Sequence, residues 1–321
     1  MDKLTGHLVI PFLRIIRWPN ILIVVFTQVL VMFAIIGRLY KRAGILPAMD
    51  VWLFSVLVFT TVLIAMAGYI INDSFDLRAD RINKPDRLII GKYLSGRKVI
   101  RLYYLLNGLA IVTGFVLSLK VGSYRLGLIF PMMILLLWFY SERYKQTVLA
   151  GNFIVSFMSA SVVLIVWLFE FFALRLQPDK FIAVYTQLAV INRILLAYAM
   201  FAFLLTMVRE LIKDAEDMEG DSVTGCYTLP VKYGVRFSKI LALVFLVLTL
   251  ALLVFSCLKL FALALPVVMV YFAIITGFPL MFLIYKVIGS ETKSDFHRIS
   301  SLLKLVMLLG LSGMLILGFY L

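Results

Sequence analysis

Two short stretches of this 321-residue chain repeat one arrangement of carboxylates. Asp73, Asp76 and Asp80 follow the spacing D-x-x-D-x-x-x-D, and so do Asp214, Asp217 and Asp221. On a helix, positions i, i+3 and i+7 share one face, and Asn72 joins the first stripe because 72, 76 and 80 lie four apart. Carboxylates placed this way repel one another and raise one another's pKa unless a cation intervenes. Oxygen-only ligands suit a hard divalent ion. Magnesium takes a few carboxylates and leaves its other positions to water and substrate phosphate, so a magnesium ion bridging to a diphosphate fits the pattern.

The placement of charge supports this. Ten of the seventeen acidic residues fall in the windows 73–86 and 210–221, although Asp and Glu contribute little to membrane orientation and are costly near membrane depth unless used. Basic residues stand beside them: Arg78, Arg81, Lys84 and Arg87 after the first cluster, Lys213 within the second. These can share a diphosphate with the metal. The blander alternative makes each cluster a solvated helix end, its aspartates paired with Arg81, Lys84 or Lys213.

The elements that position these residues are membrane helices. The chain is 63% hydrophobic and 15% charged, far from the balance of a soluble domain. Long apolar stretches recur near the ~20 residues that cross a bilayer. They predict an all-α integral membrane protein of about nine helices, over 20–37, 51–71, 99–118, 126–140, 149–172, 187–208, 239–257, 262–285 and 300–320. The first stretch has no small-residue cleavage site and is expected to be a retained helix. Residues 1–321 are expected to form one transmembrane domain of two pseudo-repeated halves, with the aspartate motifs at 72–80 and 214–221.

The net charge of +14 fits basic loops meeting anionic lipid rather than nucleic acid. The basic loops place the N-terminus and both aspartate-rich segments in the cytoplasm and the C-terminus on the opposite side of the cell membrane. Cys226 and Cys257 have no metal-ligand spacing and no disulfide is expected; His7 and His297 are isolated. A polar end that binds diphosphate and an apolar bundle suit an isoprenoid diphosphate. Stabilising the departing diphosphate would ionise the allylic C–O bond, and a water-poor cavity would protect the resulting cation.

In these motifs the chain resembles the UbiA superfamily of intramembrane prenyltransferases. The resemblance covers Asn72 to Asp80 with Asn83-Lys84-Pro85-Asp86-Arg87, and Asp214 to Asp221 with Thr228-Leu229-Pro230-Val231. Shorter matches are Arg17-Trp18-Pro19-Asn20, Tyr140-Ser141 with Lys145, and Gly151-Asn152. The resemblance implies nine transmembrane helices. It makes Asn72, Asp76, Asp214 and Asp217 leading magnesium–diphosphate ligands, with Asp73, Asp80 and Asp221 completing the clusters. Asp76, Asp80, Asp217 and Asp221 would carry catalysis. Lys145, with Arg81, Lys84, Arg87 and Lys213, would hold phosphate, and Arg17, Asn20, Tyr140 and Asn152 would line the substrate cavity. Taken singly, Arg17 also reads as an interfacial anchor, Tyr140 as part of an aromatic belt and Asn152 as a helix cap.

The second motif has the K-D-x-E-D-x-E-G-D form that the family shows in digeranylgeranylglyceryl phosphate synthases, homogentisate prenyltransferases and chlorophyll synthases. This resemblance implies transfer of a geranylgeranyl group to geranylgeranylglyceryl phosphate, with an aromatic quinone precursor as the alternative acceptor. An ion-coupled transporter is a third reading, disfavoured because both clusters lie at the ends of apolar spans rather than at the bilayer midplane.

Overall fold

A computed structural model describes residues 10–77 and 89–321. Among the described residues, nine helices are long and apolar enough to cross a membrane: α1 Trp18–Arg42, α2 Val51–Phe75, α3 Gly96–Lys120, α4 Tyr124–Glu142, α5 Ala150–Arg175, α6 Pro178–Val223, α7 Val235–Ala262, α8 Pro266–Ile288 and α9 Lys293–Tyr320. Helices are the natural solution for these sequences, because each satisfies its backbone hydrogen bonds within itself where no water is available. The chain is a multi-pass membrane protein.

Two spans differ instructively from the sequence expectation. The short fourth stretch begins with a 3₁₀ turn at Tyr124–Leu128 before the α-helix Ile129–Glu142. The sixth is a single helix of 46 residues, about 69 Å long at ~1.5 Å per residue. Charged residues end its hydropathy signal well before its helical course, which meets no proline after Pro178 and no glycine before Gly220. Its last four turns, including the second aspartate cluster, therefore continue the same rod that crosses the bilayer.

α6 is the spine of the bundle: α5 runs along it on one side, and α7 and α9 pack on it elsewhere. α2 and α3 form a second close pair with α4 against α2. α1 contains a π-helical segment, Leu30–Ile36, against which α9 packs. There Gly318 lets the helices meet, since a Cβ at this position would lie 2.4 Å from the Ala34 carbonyl oxygen. A second π segment, Phe272–Gly277, interrupts α8.

Polar side chains fix the ends. Asp50 caps α2, its Oδ1 accepting from the Leu53 N–H at 2.7 Å. Thr292 and Asp295 form a capping box at the start of α9. At the far end of α5, the buried Glu170 accepts from the Ala48 and Met49 N–H groups at 2.6 and 2.9 Å and secures the α1–α2 loop.

Candidate active site

The two aspartate clusters reach one place by different routes. α2 ends at Phe75, with Asp76 as its C-cap, so the predicted helical stripe holds for Asn72, Asp73 and Asp76. Asp80, Arg81, Lys84 and Arg87 lie outside the described residues. Asp214, Asp217 and Asp221 all stand on α6, as the spacing requires.

Between them is a cavity of about 1270 Å³. Its polar part is lined by Asn72, Asp73, Asp76, Asp214, Asp217 and Asp221, together with Arg17, Asn20, Tyr140, Lys145 and Lys213. Its apolar part includes Ile64, Met133, Leu137, Val162, Leu205 and Phe272. Asn152 is not a lining residue. It is buried behind the wall, where its Nδ2 donates to Asp214 Oδ2 at 2.7 Å. It sits inside α5, whose N-cap is Leu149, so it does not cap the helix.

Asp73 and Asp76, the described aspartates of the first cluster, each have a partner from a distant segment. Asp73 Oδ1 meets Arg17 Nη2 at 2.6 Å. Arg17 adopts a left-handed conformation, φ 51° and ψ 54°, immediately before α1. That conformation is unfavourable for a residue with a Cβ, and here the turn brings the guanidinium to Asp73 and over the Tyr69 ring, 5.0 Å from its centroid. Asp76 Oδ2 accepts from Asn72 Nδ2 at 2.7 Å and pairs with the Lys145 ammonium. Burial works against a charged Lys145, but the Asp76 carboxylate outweighs it and holds the lysine pKa above its ordinary range.

Lys145 is delivered by the α4–α5 connection. A short 3₁₀ turn, Tyr144–Gln146, lies so close to α5 that a Cβ on Gly151 would sit 2.8 Å from the Tyr144 carbonyl oxygen and 2.9 Å from the Lys145 Cα. The Tyr227 N–H donates to the Gln146 carbonyl at 2.9 Å, joining this turn to the segment after α6. From that segment the Thr228 hydroxyl donates to Asp221 Oδ2 at 3.4 Å.

In the second cluster the bases are arranged differently. Lys213 pairs with Glu210 at 3.0 Å, and so does Arg209 at 2.9 Å. Sequence reasoning left Arg209 and Glu210 unassigned, though Glu210 and Lys213 stand at the i, i+3 spacing of a helical ion pair. His297 of α9, set aside as an isolated histidine, pairs with Glu216 of α6 at 2.8 Å through its Nδ1.

The donor set fits magnesium. Among the described residues no three carboxylate, histidine or cysteine side chains converge into a metal cage, but oxygen donors from both clusters line one cavity. Magnesium characteristically binds through one or two carboxylates and completes its shell with phosphate and water.

Residues 30–319, nearly the whole chain, match the UbiA prenyltransferase family. The chain belongs to that family. A digeranylgeranylglyceryl phosphate synthase from Methanothermobacter thermautotrophicus is 35% identical over 237 residues, 74% of this chain and 71% of the relative. A solved structure concerning digeranylgeranylglyceryl phosphate synthase in membranes superposes over 100% of both chains with a TM-score of 0.65 at 24% identity. A UbiA homolog from Archaeoglobus fulgidus bound to DMAPP and Mg2+ covers 94% of this chain and 98% of its own, with a TM-score of 0.53 at 16% identity. The UbiA fold thus extends through all nine helices, and membership makes the chain a prenyltransferase rather than a transporter.

Proposed function

We propose that this prenyltransferase moves a geranylgeranyl group from its diphosphate to the free hydroxyl of geranylgeranylglyceryl phosphate, forming an ether lipid. The relative named above as a digeranylgeranylglyceryl phosphate synthase supports the choice of acceptor. The observation that carries the chemistry is a single cavity in which two aspartate clusters and Lys145 adjoin an apolar chamber. An isoprenoid diphosphate has the same two-part character.

In this reading the donor's allylic C–O bond breaks and its electron pair leaves with the diphosphate. The acceptor hydroxyl oxygen forms the new C–O bond, and its proton passes to the departing diphosphate or to water. Asn72, Asp73, Asp76, Asp214, Asp217 and Asp221, with Asp80, are the residues that would hold magnesium; when bound, it neutralises charge growing on the leaving group. The A. fulgidus homolog bound to DMAPP and Mg2+ supports that choice of ion.

Lys145 orients the diphosphate, joined by Arg81, Lys84 and Arg87. Arg17 steadies Asp73, Asn152 steadies Asp214, and Asn20 and Tyr140 line the reacting end. Apolar walls exclude water from the allylic cation. The positive-inside bias supports a cytoplasmic N-terminus and cytoplasmic aspartate clusters, with the C-terminus across the membrane. The repeated motif supports one transmembrane domain of two related halves.

The test is magnesium-dependent turnover of radiolabelled geranylgeranyl diphosphate by purified protein, with geranylgeranylglyceryl phosphate and 4-hydroxybenzoate offered in parallel. A diether phosphate is the expected product. A prenylated aromatic would move the acceptor to a quinone precursor.

A further inference from the structure

Four of the cations that line the cavity divide by what holds them. Arg17 and Lys145 are each engaged by one aspartate of the first cluster. Arg209 and Lys213 instead converge on one carboxylate outside the repeated motif: Arg209 Nη1 lies 2.9 Å from Glu210 Oε1, and Lys213 Nζ lies 3.0 Å from Glu210 Oε2. The three side chains are 18%, 27% and 8% exposed, in the order Arg209, Lys213, Glu210. Glu210 balances only one of these two positive charges; the other is shared with Asp214, the neighbouring carboxylate on the same helix, and is available to a further anion. Arg209 Nε is buried and makes no hydrogen bond, so part of its donor fork is unspent. Both cations line the cavity, as do Ser300 and Ser301 on α9.

We propose that Arg209 and Lys213, held in place by Glu210, form a second anion site in the cavity, separate from Lys145, that takes the phosphomonoester of the acceptor. The proposal rests on the acceptor being a prenylglyceryl phosphate. A phosphomonoester offers about −1.5 to −2 charge and three strong acceptor oxygens, suited to a guanidinium fork beside an ammonium. Separate seats for the two phosphate heads would hold the acceptor hydroxyl and the allylic carbon in register, which is how positioning lowers a bimolecular barrier. Lys213 thereby passes from the donor's phosphate, where the motif reading put it, to the acceptor's.

The experiment compares the phosphorylated acceptor with the same lipid lacking its phosphate, in the wild type and in Arg209→Gln and Lys213→Gln. Each variant leaves Glu210 one cation, so neither strands a buried carboxylate. Expected is a rise of about tenfold or more in KM for the phosphorylated acceptor, with the donor KM moving far less. The wild-type penalty for removing the phosphate should shrink by a similar factor in both variants. Lys213→Arg should restore most of the loss, and Arg209→Lys, which keeps charge without the fork, should restore less.

A donor KM that rises as much as the acceptor KM, or a phosphate penalty identical in variants and wild type, would overturn the assignment. If the wild type turns over geranylgeranyl diphosphate with another acceptor but not with geranylgeranylglyceryl phosphate, the functional reading fails first, and this site with it.

Discussion

The two aspartate clusters share one spacing and differ in almost everything around it. The first stands where a helix stops: α2 ends at Phe75, and Asp73 and Asp76 are held by Arg17 and Lys145 from segments 56 and 69 residues away. The second is carried on an unbroken helix, with Asp214 steadied by an amide and the nearby bases gathered by Glu210. Equal spacing therefore does not mean equal electrostatics. Asp73 and Asp76 of the first cluster are neutralised by cations brought from elsewhere in the fold, whereas the hydrogen bond on Asp214 of the second comes from a neutral amide.

The strongest test of this comparison is metal removal. Chelation should abolish turnover and added magnesium should restore it, while the unfolding midpoint, followed by light scattering, should move little because the first cluster keeps its ion pairs without metal. Next in size are Asp76→Asn and Asp217→Asn, each expected to lower kcat by about 10²–10³ in a labelled-product assay. Full activity in one of them would show that the clusters are not equivalent partners. Lys145→Met should cost about 10- to 100-fold in kcat/KM for the donor, because it removes a charge-assisted contact and leaves Asp76 without its cation. Asn152→Ala should cost about tenfold or less and appear mainly as a weaker response to magnesium. The smallest effect belongs to His297→Gln: the pair with Glu216 has an exposed partner, and its loss should change stability by under about 1 kcal/mol, read by thermal unfolding.

The nine membrane helices among the described residues were legible because apolar runs of the right length have few other fates in a bilayer. The full length of α6 was not, since hydropathy falls at Arg209 and Glu210 while helix propensity does not. Neither π segment followed from hydropathy, although Pro279, just past the second, lacks the N–H that a regular helix would use there; α9 packs against both. Within the site, spacing identified the carboxylates but not their partners. Arg17 and Asp73 meet only through a left-handed turn before α1, and Asn152 read equally well as a helix cap until α5 was seen to begin before it. Glu210 was visible as an i, i+3 partner of Lys213, yet its role depends on Arg209 turning to the same carboxylate.

The pairing of Lys145 with Asp76 bears on the order in which ligands arrive. On the proposed reading an incoming phosphate draws the ammonium toward itself and releases a carboxylate that a divalent ion can use. An ion that occupies the carboxylate in turn frees the lysine for phosphate. Each ligand must then raise the other's affinity by the same factor, as thermodynamic reciprocity demands. Diphosphate and magnesium should accordingly bind as a cooperative pair, each weakly alone, and that cooperativity should fade when Lys145 is replaced.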